Sequence, residues 1–473
     1  MKIVALFTMV RSLSIVLIHL TFLASQTYSL PSLNSQKTSS FTAQDIPYEQ
    51  KFVKGEIPLK KLTLADKATY FEERIKKRHI QHGFVRELTL FTSGEPENGG
   101  ILHHSDNDGL WTSLYVAAMS FKIGILKDEE TKKLIKESFH ALERLEKITG
   151  IPGFPARSIV EVGEPLKYHY DGEWHLDPSG KWEWKGDTSS DELDGHFFAY
   201  ALYYDLAADK KERERVKRLV ERMIDHIIEH NWYLVDIDNK PTRWGVWNPE
   251  QLNHNKPIHG LPDEDWREER GLNSLEILSH LKVAYHVSGK KMYQKKYLEL
   301  IQKHGYAENV LNQNVIDLND LNHSDVELAF CAYYPLLKYE TDPKLLKIYK
   351  TSLEKTWKIV KPERNPWWNF TASLFLQKDD IIEESVQTLR ELVWEQINWK
   401  MENGQGPDIK LDPSYTKSEK LQSLEVLPYD QICIQRWNSN PYQLDSGGDG
   451  KIEGDGVLFL LPYWMGRYHG FIR

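Results

Sequence analysis

The chain has 473 residues, 40% of them hydrophobic, enough for a large core, and carries a formal net charge of −9 with a pI near 6.1. With no dense Lys/Arg block, that balance argues against nucleic acid or an anionic membrane surface as a partner, because both require concentrated positive charge. Aromatic residues stand out, with 15 Trp and 23 Tyr. Such flat side chains fill cores and also stack on sugar rings.

Lys2 and Arg11 flank the apolar stretch LSIVLIHLTFLA, which gives way to small and polar residues. It is too short for an ordinary membrane span and reads as a secretory signal over residues 1–29, implying a secreted or periplasmic product. Residues 30–62, rich in Ser, Gln, Thr and Pro, read as a linker arm. Residues 63–473 read as a single domain, expected to act as a monomer. No later segment is an uninterrupted apolar run of about 20 residues, so no integral membrane segment is expected after the leader. The two cysteines, Cys331 and Cys433, make no disulfide framework, and no CxxC zinc pattern is present.

Twelve helical segments follow, near 65–82, 109–124, 129–149, 190–208, 211–230, 269–288, 290–305, 324–340, 343–360, 366–377, 379–398 and 455–469. They alternate in character. Odd members such as EETKKLIKESFHALERLEKITG are amphipathic, and even members are apolar and aromatic nearly all round. Outer helices that shield inner ones account for this alternation, with the inner six lining a closed barrel. Long connections at 151–189, 231–267 and 399–454 all lead into inner helices at one end, so they gather on one rim. Within the first, EWHLDPSGKWEWKGD predicts a β-hairpin around Pro178-Ser179-Gly180.

Each inner helix opens on polar, mostly acidic residues. Asp106 and Asp108 precede the first. Asp191, Glu192 and Asp194 stand at the start of the second, Glu269 and Arg270 before the third, and His323, Asp325 and Glu327 at the fourth. Arg364 and Asn365 precede the fifth, and Glu453 and Asp455 the sixth. An acid or hydroxyl before a helix often serves only as an N-cap. Three carboxylates in one run exceed that need.

Six inner and six outer helices, acidic inner N-termini and Trp/Tyr-rich loops on one rim resemble the (α/α)6 toroid shared by many glycoside hydrolases and some polysaccharide lyases. The likeness runs from about residue 65 to the end. The stretch HSDNDG at 104–109 is similar to the Asp-Gly turn of unsaturated glucuronyl hydrolases, a family of that fold. These resemblances imply an all-α toroid acting on carbohydrate, and they assign no catalytic role to any single residue.

The expected function is a glycoside hydrolase acting on an oligo- or polysaccharide, uronate-containing ones included, and glycosidic cleavage needs a protonated carboxyl for the leaving oxygen and a carboxylate on the opposite face. Asp106, Asp108, Asp191, Glu192, Asp194 and Asp455 are the candidates, the crowding in SDELD favouring one that stays protonated. For substrate contacts the candidates are Trp111, His196, Asn273 and Trp367 on inner helices, Glu269 and Arg270 at a helix start, and Arg157, His169 and Tyr170 around the hairpin. Arg243, Trp244 and Trp247 join them from the rim segment, where a packed Trp corner competes, as do His323 and Asp325, with His323 either a base or a partner for Asp325. Tyr, His and Arg together also suit β-elimination of a uronate, which keeps a lyase open. A glycan-binding protein without turnover is the third alternative. No cofactor is expected. The run DSGGDGKIEGDG is a weak calcium candidate through Asp445, Asp449 and Glu453, departing from the usual loop at Gly447 and Gly456. Sequons at Asn322 and Asn369 fall at inner-helix starts and read as chance.

Overall fold

The computed structural model describes residues 62–164, 172–254, 266–311, 321–405, 409–412, 422–434 and 436–473. The expected leader and all but the last residue of the arm lie outside them. Twelve α-helices of ten residues or more are present among the described residues. They are α1 Leu64–Arg74, α2 Asp108–Leu126, α3 Glu129–Ile148, α4 Ser190–Leu206, α5 Lys210–Glu229, α6 Arg270–Ser288, α7 Lys291–His304, α8 His323–Tyr339, α9 Pro343–Val360, α10 Pro366–Leu376, α11 Ile382–Glu391 and α12 Val457–Tyr468.

The outer helices start where short polar side chains accept the first free amides. Thr63 and Asp66 form a capping box on α1, Asp128 caps α3, Asp209 caps α5 and Asp342 caps α9. The inner helices have little amphipathic character, and nearly every residue of α2, α4 and α6 is buried. Such helices must be enclosed on every side, and a ring does so here. The even-numbered helices pack in sequence, α2 on α4, α4 on α6, α6 on α8, α8 on α10 and α10 on α12, and α12 returns to α2. Around them lie α1 against α12, α3 against α2, α5 against α4 and α6, α7 against α6, α9 against α8 and α10, and α11 against α10. The architecture is an all-α (α/α)6 toroid with small sheets on its rim. Although α2 is long and apolar enough to cross a membrane, it lies mostly buried inside the ring.

Core packing is aromatic. Trp184, Trp247, Trp367 and Trp368 are fully enclosed, and truncating one such ring to Ala costs about 3–5 kcal/mol. Close approach of α2 and α4 depends on glycine. A Cβ on Gly109 would fall 1.9 Å from Glu192 Oε2 and 2.5 Å from His196 Nε2.

Nine strands of three or more residues are present among the described residues: β1 Glu87–Leu90, β2 Gly100–His103, β3 Ile159–Glu161, β4 Trp174–Leu176, β5 Trp182–Lys185, β6 Tyr233–Val235, β7 Pro241–Val246, β8 Ile397–Glu402 and β9 Asp445–Glu453. The expected hairpin is β4–β5, and β3 joins it on the other side of β5. A four-stranded antiparallel sheet in the order β8-β9-β1-β2 lies at the approach to α12.

Three sequence expectations are corrected. The helix expected over 65–82 stops at Arg74, passes through a π turn at Ile75–His79 and enters a two-residue hairpin. The helix expected over 379–398 ends at Glu391, and its remainder turns into β8. The glycine-rich run at 445–456 is strand β9 rather than an ion-wrapping loop. Its glycines make room for Trp399 of β8: a Cβ on Gly450, at φ +74°, would lie 2.3 Å from the Trp399 ring.

Candidate active site

At the starting ends of the inner helices lies a cavity of about 280 Å³, bounded by Trp111 of α2, Glu327 of α8, Asp455 before α12, Glu87 of β1, and Arg436 and Trp437 of the preceding irregular segment. Glu327 lies one turn into α8, whose N-cap Asn322 accepts from Ser324 N at 3.0 Å and donates to Asp325 at 2.9 Å. The Glu327 side chain is 1% exposed, and neither carboxyl oxygen has a hydrogen-bond partner. Burial pushes its pKa up to about 8, with Arg436 pulling it down and Asp191 raising it further. Near neutral pH it is therefore chiefly a neutral carboxylic acid. Asp455 stands across the ring seam, where its Oδ1 accepts from Val457 N at 2.7 Å.

Asp191 links this cavity to a wider set of acids. Half-buried at the mouth of α4, it accepts from Asn107 Nδ2 at 3.4 Å. Burial raises its pKa, while Arg157 and donors from Ser189 and Asn107 oppose the rise. Its charge also raises Glu192, Asp194, Glu276, Asp325 and Glu327. Asp325 is held well above the usual carboxylate range by burial, then by Glu269, Asp191 and Glu276. Acids from α4, α6 and α8 thus converge within electrostatic reach.

The SDELD cluster does not act as one group. Successive helix residues diverge by about 100°, so its three acids point to three places. Asp191 faces the mouth. Glu192 turns against α2, where burial raises its pKa well above the ordinary value and His196 Nε2 lies 3.4 Å away. His196 itself is lowered to about 3 by burial and hydrogen-bonds Tyr200. Asp194 turns toward α6. There it meets His280 Nε2 at 2.8 Å, and burial raises its pKa well above the ordinary value, with the neighbouring Glu276 pulling it down and Asp191 raising it further. None of Asp191, Glu192 and Asp194 lines the cavity, and Asp191 reaches it only through its charge.

Other expected site residues are built into the scaffold. Asp108 is 1% exposed; its Oδ2 accepts from Arg86 Nη2 at 2.8 Å and Nε at 3.2 Å, and its Oδ1 from Ser105 N at 2.7 Å and Ser105 Oγ at 3.1 Å. That is a satisfied clamp with no face left for a reaction. Asp106 pairs with Lys185, and its carbonyl accepts from Arg157 Nη1 at 3.3 Å. Arg157 is buried and also binds Asp187 O at 2.6 Å and Asn107 Oδ1 at 3.1 Å, which fixes the loops behind α2 and α4. Trp247 is a core residue, not a rim residue, and donates to Glu276 Oε2 at 2.8 Å. Trp367 is likewise enclosed, packed 5.9 Å from Phe198. His323 takes Glu363 as partner at 3.0 Å rather than Asp325, and Asn273 donates to Val246 O at 2.8 Å.

On the rim, Arg243 lies over the Trp244 ring at 4.5 Å and Trp244 meets Trp266 edge-on at 5.9 Å. Arg270 opens α6 exposed to solvent, with Glu269 half-buried beside it. His169 and Tyr170 lie outside the described residues. The calcium candidate is also reassigned. Against the burial that would raise it, His79, Arg78 and Arg74 hold Glu453 well below the usual carboxylate range, and Arg78 grips both its oxygens at 2.9 and 2.6 Å. Asp445 accepts from Gly404 N at 3.0 Å, and Asp449 from Lys451 N at 3.1 Å. Among the described residues, no group of three or more His, Cys, Asp or Glu comes together as a metal-binding set.

Sequence reading placed Glu327 at an acidic helix start but did not select it, and it passed over Glu87, Arg436 and Trp437. Glu327 was detectable, two residues beyond Asp325 on an apolar helix that gives it no local partner. Arg436 and Trp437 lie in an irregular segment whose sequence has no periodicity to read.

No family model matches the chain, and no curated protein matches it. Solved structures with a similar course include a sugar epimerase from a ruminal bacterium, at 12% identity and TM-score 0.40, covering 86% of this chain and 98% of that one. A D-mannose isomerase follows at 10% identity and TM-score 0.43, covering 85% and 96%. The cellobiose 2-epimerase from Bacillus thermoamylovorans B4167 stands at 11% and 0.40, covering 85% and 98%. The toroid itself follows from the helix packing described above and does not rest on these matches.

Proposed function

We propose that the protein is a carbohydrate-active enzyme, specifically a glycoside hydrolase, with Glu327 as general acid and Asp455 as the opposing carboxylate. The observation that carries this reading is the Glu327 carboxyl, buried in the cavity wall with no hydrogen-bond partner and with a pKa pushed up to about 8. A carboxylic acid that keeps its proton at neutral pH is what departure of a glycosidic oxygen requires.

In the proposed reaction Glu327 gives its proton to the leaving oxygen as the bond to the anomeric carbon breaks. Asp455, whose Oδ1 accepts from the Val457 amide, either draws a proton from the incoming water or attacks the anomeric carbon first, and water completes the hydrolysis. Trp111 and Trp437 line the cavity wall. Asp191 acts through Glu327, because its negative charge favours the protonated acid.

The test is incubation with a panel of neutral and acidic oligosaccharides, following new reducing ends and the ultraviolet absorbance of unsaturated uronates. New reducing ends without that absorbance, abolished in Glu327→Gln, are the expected result. Absorbance would replace this reading with β-elimination, and binding without either product would replace it with a glycan-binding role.

A further inference from the structure

The cavity has one cationic side chain in its wall among the described residues, and that cation is held ready rather than used. Arg436 lies flat over Trp111, its guanidinium carbon 3.9 Å from the ring centroid. This contact fixes the plane of the fork and leaves its edge to meet an in-plane acceptor. The nearest acid is Glu87, with Oε2 3.6 Å away. That distance is too long for a hydrogen bond, and the pair is part-exposed, so the attraction is weak. Five N–H donors on Arg436 thus have no hydrogen-bonded acceptor among the described residues. The adjoining Trp437 repeats the pattern, since its Nε1 is buried in the same wall without an acceptor. A buried indole donor left open beside a part-exposed guanidinium in the same cavity wall points to acceptors that a ligand brings.

We infer that the cavity takes a sugar bearing a carboxylate, a uronate residue, with Arg436 as the specificity-determining anchor for that carboxylate and Trp437 Nε1 as a second donor; this deepens the glycosidase reading above and rests on it. A planar guanidinium matches a carboxylate through two parallel N–H···O bonds, which a neutral hydroxymethyl group cannot accept. Of the acids in the wall, Glu327 does not oppose the anion below about pH 8, where burial keeps it protonated while a uronate is already ionised. Glu87 competes for the same guanidinium, so the bound sugar displaces an ion pair of little strength.

The test is calorimetric titration of the full chain with D-glucuronate and, separately, D-glucose, together with hydrolysis assays on the matching 4-nitrophenyl glycosides. D-Glucuronate is expected to bind at least tenfold more tightly than D-glucose. Arg436→Gln should erase that preference while leaving the melting temperature and the weak glucose binding in place, and Arg436→Lys should restore part of it. Glu87→Gln should tighten glucuronate binding by removing the competitor, an effect that a merely structural Arg436–Glu87 pair would not produce. Equal affinity for the two sugars, or a preference that survives Arg436→Gln, overturns the inference even if neutral glycosides are hydrolysed. Selective glucuronate binding without cleavage of any glycoside sustains the anchor and overturns the hydrolase reading instead.

Discussion

Asp108 and Glu327 both stand near the start of an inner helix, Asp108 as the first residue of α2 and Glu327 one turn into α8, yet the fold uses them in opposite ways. Asp108 meets Arg86 and the Ser105 amide and hydroxyl, so every lone pair has a donor. Glu327 meets none, and burial raises its pKa to about 8. A buried carboxylate with a cation in bonding range is a structural strut, and breaking it leaves an uncompensated charge. Without such a cation it keeps its proton and becomes an acid in waiting. The same residue class near the start of an inner helix thus gives stability in one case and reactivity in the other.

The largest expected effect lies at Glu327. Glu327→Gln should lower turnover by about 10²–10⁴-fold, the usual worth of a general acid, with no loss of stability. Its pH signature is specific. A carboxyl whose folded pKa is raised contributes stability that is fully present below its unfolded value, near 4.5, and lost as pH climbs through about 8. The variant lacks that loss, so its melting temperature relative to wild type should rise between pH 5 and pH 9; a constant difference would contradict the unpaired burial of Glu327.

Asp108→Asn should do the reverse, costing about 3–5 kcal/mol because Arg86 remains buried and charged, as denaturant titration would show. A stable Asp108→Asn protein with a large defect in turnover would undo the contrast between the two acids. Gly109→Ala should cost about 1–3 kcal/mol by overpacking, since its Cβ would meet Glu192 Oε2 and His196 Nε2. Thermal unfolding measures it. The smallest effect sharpens the comparison most. Asp191→Asn removes a charge that raises Glu327, so the alkaline limb of the pH–rate profile should move to lower pH. Arg436→Gln removes a charge that lowers Glu327 and should move the limb upward.

The twelve-helix alternation was legible because a helix inside a ring must be apolar on every side, whereas a shielding helix needs only one such face. That distinction is written in α4 against α5, residue by residue. The acids at the inner helix starts were legible too, as a set. Their division of labour was not. Asp191, Glu192 and Asp194 are neighbours in sequence and diverge in space, and of the partners that decide them only His196 lies on α4 itself, while Arg157 and His280 come from other elements. The glycine-rich run at 445–456 was ambiguous for a related reason, as glycines that suit an ion-wrapping turn also suit a strand crossed by a Trp.

From its amino-acid order alone the chain determined helix number, helix character and the end of the ring at which its acids gather, because these depend on periodicity and on neighbours within a turn or two. Which acid is silenced by an arginine and which keeps its proton in a cavity was decided only by tertiary structure. Desolvation and ion pairing are set by groups such as Arg86 and Arg436 that reach the site from segments remote from the helices they serve.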